Sequence, residues 1–472
     1  MPSPYIHCQD PALFEQGFAA IRTELEVPEG FPNSVEIALQ QEWVDPYVER
    51  IDLSHLPFIS IDPLGSRDLD QAFYAEQSRS GYIVRYAIAD VAAFVSAGGE
   101  IDKESRVRGL TLYAPDRQTP LHPTQMSEGR ASLLEGAVRP SIVWTLTLAQ
   151  DGAVTDARAE RSLIRNTEML SYAQAQERLD GETANEVLSL VREIGLLREE
   201  LERARNAVSL NLPSQELSKT NVGYELAYDT VFAIEGWNAQ ISLMTGMAAA
   251  DLMLEGKVGL LRTLPVPDEQ TISKLRRHSR ALSVTFEDAM SYADWVRTLD
   301  PQIRRHVALL SQAAQGLRGA GYIGFAGAVP GDAGHSAIAA HYTHVTAPLR
   351  RLVDRFALEV CVALTADRPV PGWVVDSLDE LPDIMKSAKR KERTYTRALL
   401  DFAEALVLTD SVGQTFDAIV TSLSSRGVTL QITEPAVITR ISAEGMNLGQ
   451  QLSVQLKGVD IDRRTLDFEV IA

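Results

Sequence analysis

Cysteine is nearly absent from this 472-residue chain: Cys8 and Cys361 stand far apart, each without a second thiol nearby. That excludes a disulfide framework or a thiolate zinc site and points to a reducing compartment. Long apolar runs are missing too. The best candidate, Ile241 to Leu254, is broken by Ser242, Thr245 and Asp251 and falls short of the ~20 residues a membrane-spanning helix needs. Tyr5, His7, Gln9 and Asp10 come where a secretory leader would place its apolar stretch, so a cytoplasmic location and no membrane partner are expected. Positive charge is also scarce, with 45 Lys and Arg against 64 Asp and Glu, a net −19. Such a deficit argues against a protein that coats nucleic acid, because phosphate contacts need cationic surface. It does not exclude a locally basic channel, since totals govern solubility and long-range approach. Three basic clusters exist: Lys386, Lys389, Arg390, Lys391, Arg393 and Arg397; Arg276, Arg277, His278 and Arg280; and Arg350, Arg351 and Arg355. Each is equally well explained as a solvated helix face. Composition alone leaves the partner open.

What is present reads as α+β in three stretches, within the two to four domains that roughly 100–200 residues per domain allows. Residues 1–55 suggest a small helical module, possibly helix-turn-helix-like, with helices near Asp10–Glu26 and Asn33–Trp43. Asp10-Pro11 makes an N-cap and first-turn pair, and Pro28-Glu29-Gly30 interrupts the chain between the helices. Residues 56–410 form the main body. Strands are expected at Phe58–Ile61, Tyr82–Ala89, Ser141–Leu148 and Ala153–Ser162, the last two joined by an Asp151-Gly152 hairpin signal. Helices follow near Glu182–Ala207, Glu235–Glu255, Glu269–Leu282, Pro301–Ala314, Ala347–Ala366 and Leu381–Thr409. The glycine-rich Gly319–Gly334 reads as a loop with a short strand. Residues 411–472 hold five short strands punctuated by Gly413, Gly427, Gly445 and Gly458, the pattern of an OB-type barrel.

The most informative segment runs from Ile61 to Ala72. Asp62, Asp68 and Asp70 follow directly on a strand, and Pro63 and Gly65 forbid a regular helix between them. Carboxylates on a loop that folds back are suited to magnesium, which takes few hard oxygen ligands and leaves room for substrate phosphates. A solvated acidic turn is the alternative; an EF-hand is not, because its glutamate is missing at the last position.

This loop resembles the catalytic signature of the RNase II/RNase R (RNB) family. The resemblance continues in family order through Ile88–Val95 (IADVAAFV), Arg108–Pro123 (RGLTLYAPDRQTPLHP), Leu170–Tyr172 (LSY) and Tyr342–Arg355 (YTHVTAPLRRLVDR). It implies an RNB-type catalytic body with a C-terminal OB barrel, and a processive 3′→5′ exoribonuclease releasing nucleoside 5′-monophosphates. Magnesium is the implied cofactor, with manganese as a substitute. Asp62, Asp68 and Asp70 match the family's metal and catalytic aspartates, and Arg350 the arginine on the scissile phosphate. Arg351 stands beside it as a supporting RNA contact. Tyr113 and Tyr172 match positions that stack on bases near a single-stranded 3′ end, and Glu235 a glutamate that contacts ribose. His335, His341 and His344 fall beside the arginine loop in this alignment of motifs, so zinc is not expected.

The departures are as specific. The family usually places a fourth aspartate where this chain has Gln71, which is expected to join the metal shell through its amide oxygen. The aromatic after the double arginine is Leu352. The stretch ahead of residue 56 has space for neither of the family's two cold-shock barrels, which leaves structured RNA with a 3′ overhang as a further expected substrate. Gln71 supports the alternative of a catalytically impaired RNA-binding protein that kept the fold.

Overall fold

A ring of five strands carries the body: Phe58–Asp62, Gln71–Ser78, Gly81–Ala89, Val138–Ala149 and Val154–Ser171. Each pairs with the next, and the last returns to the first, which closes the barrel. Phe58–Asp62 and Val154–Ser171 run parallel; the other seams are antiparallel. The computed structural model describes residues 7–8, 11–41, 43–47, 49–181, 183–210, 215–220, 223–228, 231–424, 427–432, 434–442 and 444–471. Asp10, the expected N-cap, lies outside them.

Alternation explains why these strands are apolar on both sides. Val84, Tyr86 and Ile88 join Ile142, Trp144 and Leu146 in the large core, while Ala87, Ala89 and Val143 face a second core with Phe58 and Leu69. Successive side chains point to opposite faces, so a strand buried on both reads as a continuous apolar run. The sequence suggested that Ala153–Ser162 ends where polar residues begin, yet the strand continues to Ser171. Its polar residues are consumed by neighbours. The Asn166 side chain donates to Ser60 Oγ and to the Leu133 carbonyl, both at 2.9 Å.

Helices cover the barrel. Glu186–Ala204 packs along Ala233–Gly256, and Leu352–Thr365 lies on Val154–Ser171. The last of these begins five residues later than its sequence suggested. The Asp354 carboxylate caps the preceding segment by accepting from the Ala347 amide at 2.7 Å, so residues 347–351 stay a loop. The glycine-rich stretch is as expected, a loop with a short strand: Gly321–Ala326, paired with Val258–Thr263.

The N-terminal helix Pro11–Glu24 has no core of its own. Phe14 and Phe18 pack on Tyr224 and on Phe402 of the long helix Leu381–Leu408, with ring centroids 4.6–6.0 Å apart. A helix-turn-helix unit would instead bury these residues against its own second helix. The C-terminal residues form a five-stranded antiparallel sheet in the spatial order 437–441, 427–432, 415–424, 451–460, 465–471, the OB/S1-type barrel expected. Phe416 and Phe468 meet edge to face at 6.0 Å in its interior. No described helix is long and apolar enough to cross a membrane.

Candidate active site

The aspartate loop leaves the barrel at Asp62 and re-enters at Gln71. It reverses at once, with Ser66 N–H donating to the Pro63 carbonyl at 3.1 Å. Gly65 takes φ +84° at the third position of this turn, where a left-handed residue is required and glycine alone is unstrained. Beyond the turn, Leu69 is fully buried and its amide donates to Ser132 Oγ at 2.9 Å, while that hydroxyl donates to the Arg67 carbonyl at 2.7 Å. Anchoring Leu69 inward puts Asp68 and Asp70, one residue to either side, on the opposite face.

The arginine loop meets this face. Asp70 is 5% exposed; its Oδ1 accepts the Leu349 amide at 2.8 Å, and its Oδ2 lies 3.4 Å from Arg350 Nε. Burial pushes its pKa up to about 8, against the pull of Arg350 and the Leu349 amide. Asp62, in register with Ser171 on the parallel neighbour, is pushed up to about 7, chiefly by burial. Its buried Oδ2 has no hydrogen-bond partner. Asp68 is raised by burial too, and accepts the Tyr113 hydroxyl at 3.3 Å. The Arg350 guanidinium is half-exposed and opposes the rise at all three aspartates.

Among the described residues no three His, Cys, Asp or Glu side chains converge tightly enough to form a complete metal cage. The residues still fit a magnesium site. Magnesium is typically held by one or two carboxylates with water and substrate phosphate filling the rest. An orphaned buried carboxylate oxygen beside two more under-neutralised carboxylates is a donor set that a hard cation would relieve.

Two expected residues are placed differently. Gln71 does not turn toward the aspartates: its Nε2 donates to the Thr346 carbonyl and its Oε1 accepts the Tyr86 hydroxyl, both at 2.6 Å. Its amide ties the barrel to the segment leading into the arginine loop. Arg351 is likewise committed, gripping Asp354 through Nε at 3.0 Å and Nη2 at 2.8 Å. With that fork closed, it shapes the loop and leaves Arg350 as the more exposed guanidinium of the two.

The residues expected to contact ribose and base lie near the same aspartates and arginine. Tyr113 is 49% exposed. Tyr172 opens a helix capped by Ser171 and Gln174, and its hydroxyl bonds Asn238. Glu235 accepts the Phe232 amide at 2.8 Å, capping Ala233–Gly256, and acts electrostatically on Tyr172. Asn238 was missed by the sequence reading. One turn beyond Glu235, it also donates to the Ile61 carbonyl at 3.4 Å; its only signal was helical spacing. This helix approaches the arginine segment closely at Gly246, where a Cβ would strike the Tyr342 ring and the Thr343 carbonyl. Of the three histidines, His344 is partly buried with Nδ1 2.6 Å from the Tyr322 hydroxyl, His335 packs edge-on to Tyr342, and His341 reaches Asp251 at 3.8 Å.

A family model described as "RNB domain" matches residues 50–363, and one described as "RNase II-type exonuclease C-terminal S1 domain" matches residues 414–471. The chain belongs to the RNB family, that of RNase II and RNase R. Exoribonuclease 2 of Vibrio parahaemolyticus is 35% identical over 191 residues, covering 38% of this chain and 28% of that protein. Ribonuclease R of the same organism is 23% identical over 513 residues, covering 96% of this chain and 60% of that protein. The chain thus spans less than two thirds of the length of these curated relatives. Among solved structures, Mycoplasma genitalium RNase R in complex with ribose-methylated single-stranded RNA superposes with a TM-score of 0.88 at 18% identity, over 97% of this chain and 78% of that one. Yeast Ssd1, described as a pseudonuclease, superposes at 0.71 and 17% identity, over 95% and 57%. At these identities the superpositions speak for the fold alone, and that fold accommodates both an RNase and a pseudonuclease.

Proposed function

We propose that the chain is a magnesium-dependent exoribonuclease that shortens RNA processively from a single-stranded 3′ end and releases nucleoside 5′-monophosphates. The observation that carries this reading is the junction at Asp70, a buried carboxylate held by one amide and faced by a half-exposed arginine. Tyr113 and Tyr172 receive the terminal bases by stacking, which tolerates any sequence because every base has a π-face. Glu235, with Asn238 beside it, faces the ribose, where a 2′-hydroxyl distinguishes RNA from DNA. Arg350 grips the scissile phosphate and neutralises charge that builds on its oxygens in the transition state. Asp68 and Asp70 orient the attacking water in line with the departing nucleotide. Held by Asp62, Asp68 and Asp70, a magnesium or manganese ion would supply Lewis acidity and lower the pKa of a bound water.

The test is 5′-labelled single-stranded RNA and DNA, each incubated with magnesium or with a chelator. Conversion of full-length RNA to a short labelled end product, with magnesium alone and without accumulating intermediates, is expected. RNA binding without shortening would favour the second reading, a fold kept for RNA binding, which the missing acid at Gln71 supports. Cleavage that persists in chelator would remove the metal from the mechanism.

A further inference from the structure

Three arginines are deeply buried among the described residues: Arg22, Arg198 and Arg355, at 4%, 5% and 2% exposure. Two have carboxylate partners, Arg22 with Asp116 at 2.9 Å and Arg355 with Asp102 at 2.7 Å. Arg198 has none. Its Nη1 donates to the Gly152 carbonyl at 3.0 Å, and its buried Nε meets no acceptor. Burial and the neighbouring Arg205 together draw its pKa down to about 10, with Asp151 and Glu202 opposing. Arg205 also lacks an ion pair among the described residues. Its Nε donates to the Ile338 carbonyl at 2.9 Å, and its buried Nη2 is unpartnered. Two desolvated guanidiniums side by side are costly, because buried cations are normally paired.

Both line a cleft of about 750 Å³ on the face where Glu186–Ala204 packs on Ala233–Gly256. That size suits a small-molecule ligand, as such sites run to roughly 300–1,000 Å³. The cleft also has apolar lining that reaches its surface, with Met247, Ala248 and Leu252. The open side carries Asp156, Asp251 and Glu255, all exposed. A compact anion satisfies the guanidiniums, and an aromatic body suits the Met247 thioether. The acidic rim repels further phosphates, so a polynucleotide or polyphosphate is disfavoured.

We propose that this cleft binds a nucleoside 5′-monophosphate, its phosphate on Arg198 and Arg205 and its base against Met247 and Leu252. The site is separate from the aspartate loop and does not depend on the nuclease reading. The ligand's neighbour, the helix Ala233–Gly256, also carries Asn238 and Ser242 to the catalytic mouth, Ser242 Oγ lying 2.8 Å from the Tyr86 hydroxyl that binds Gln71.

Calorimetric titration of the full chain in chelator with adenosine 5′-monophosphate tests this, with inorganic phosphate in parallel. One equivalent should bind to the parent and equally to Arg350→Ala. Affinity should fall at least tenfold in Arg198→Gln and in Arg205→Gln. Because Arg198→Gln can perturb folding, the decisive variant is the half-buried Arg205→Gln, read together with an unchanged melting temperature. Binding that disappears with Arg350→Ala would overturn the proposal by placing the nucleotide at the catalytic mouth. Inorganic phosphate binding as tightly as the nucleotide would overturn the nucleotide class. Displacement of the nucleotide by a short oligoribonucleotide would overturn the small-ligand reading.

Discussion

Asp70 and Asp102 are both buried aspartates facing an arginine, and the fold treats them in opposite ways. Asp102 is 1% exposed and accepts from Arg355 at 2.7 Å and the Gly98 amide at 2.8 Å, with Arg106 at 3.4 Å. Burial alone would raise its pKa, but Arg355, the Gly98 amide and Arg106 outweigh it and hold the carboxyl below its ordinary value. Asp70 has one amide and a half-exposed arginine at 3.4 Å, and burial wins. Partner number and partner burial set the sign. A fully partnered carboxylate holds the structure together, while an under-partnered one is ready for a ligand that brings positive charge.

The sharpest way to break this comparison is Asp102→Ala. Leaving Arg355 buried and unpaired should cost about 3–5 kcal/mol of stability, read from the midpoint of urea unfolding, while activity per folded molecule is kept. The pH dependence follows from the depressed pKa. A carboxyl held lower in the folded than in the unfolded state contributes stability above its unfolded pKa, and that contribution is lost as pH falls through the folded one. The gap between parent and variant should therefore close in acid below about pH 4. A gap that stays constant down to pH 2 would mean that the pair contributes nothing electrostatic.

Asp70→Asn is the counterpart. Turnover should drop by roughly 10²–10³, or about 2.7–4 kcal/mol of transition-state stabilisation, measured in single-turnover assays. Stability should hold or rise, since a costly buried charge is removed. Unfolding as early as Asp102→Ala would collapse the distinction between the two carboxylates.

Gln71 comes next. Gln71→Leu removes both bonds of its amide, leaving the Tyr86 hydroxyl and the Thr346 carbonyl without it, an expected loss of about 1–3 kcal/mol in stability. Gln71→Asp should lose stability as well, and the magnesium dependence of its activity should overlay the parent's. Saturation at clearly lower magnesium would return this position to the metal shell.

These positions show what was legible in the sequence and why. Asp62, Asp68 and Asp70 lie on one short loop whose Pro63 and Gly65 announce a reversal, so spacing and turn chemistry marked a candidate metal loop, and the family resemblance supplied the roles. The five terminal strands were visible through alternation and glycine turns. Gln71 was grouped with the aspartates because it stands where the family usually has a fourth, but its carbonyl partner Thr346 is 275 residues away. Arg351 was expected to support Arg350 as an RNA contact, but Asp354, three residues on, holds its guanidinium. The start of Leu352–Thr365 was misplaced because helix propensity carries no record of a side chain capping the loop before it. The Asp10-Pro11 helix start and the Pro28-Glu29-Gly30 break suggested a separate module, since a sequence gives no sign that Phe14 and Phe18 pack on Tyr224 and Phe402. Arg198 carried no signal at all, as an unpaired buried cation is defined only by what the fold fails to bring to it.

The smallest expected effect concerns Tyr113, where the two kinds of contact meet in one side chain. Its ring is half-exposed at the catalytic mouth, and its hydroxyl donates to Asp68 across 3.3 Å, at the long end for such a bond. Tyr113→Ala removes both contacts and should weaken binding of a short single-stranded RNA by about 1–3 kcal/mol, the worth of one stacked base. Tyr113→Phe keeps the ring and removes only the hydroxyl. A long, partly solvated hydrogen bond is worth at most about 0.5–1.5 kcal/mol, and water can replace it here. The Phe variant should therefore bind RNA nearly as well as the parent, with at most a small change in turnover through Asp68. Fluorescence anisotropy in chelator separates the two variants without interference from cleavage. If Phe loses as much affinity as Ala, the hydroxyl and not the ring makes the contact, and Tyr113 belongs with the aspartates as a polar group of the site.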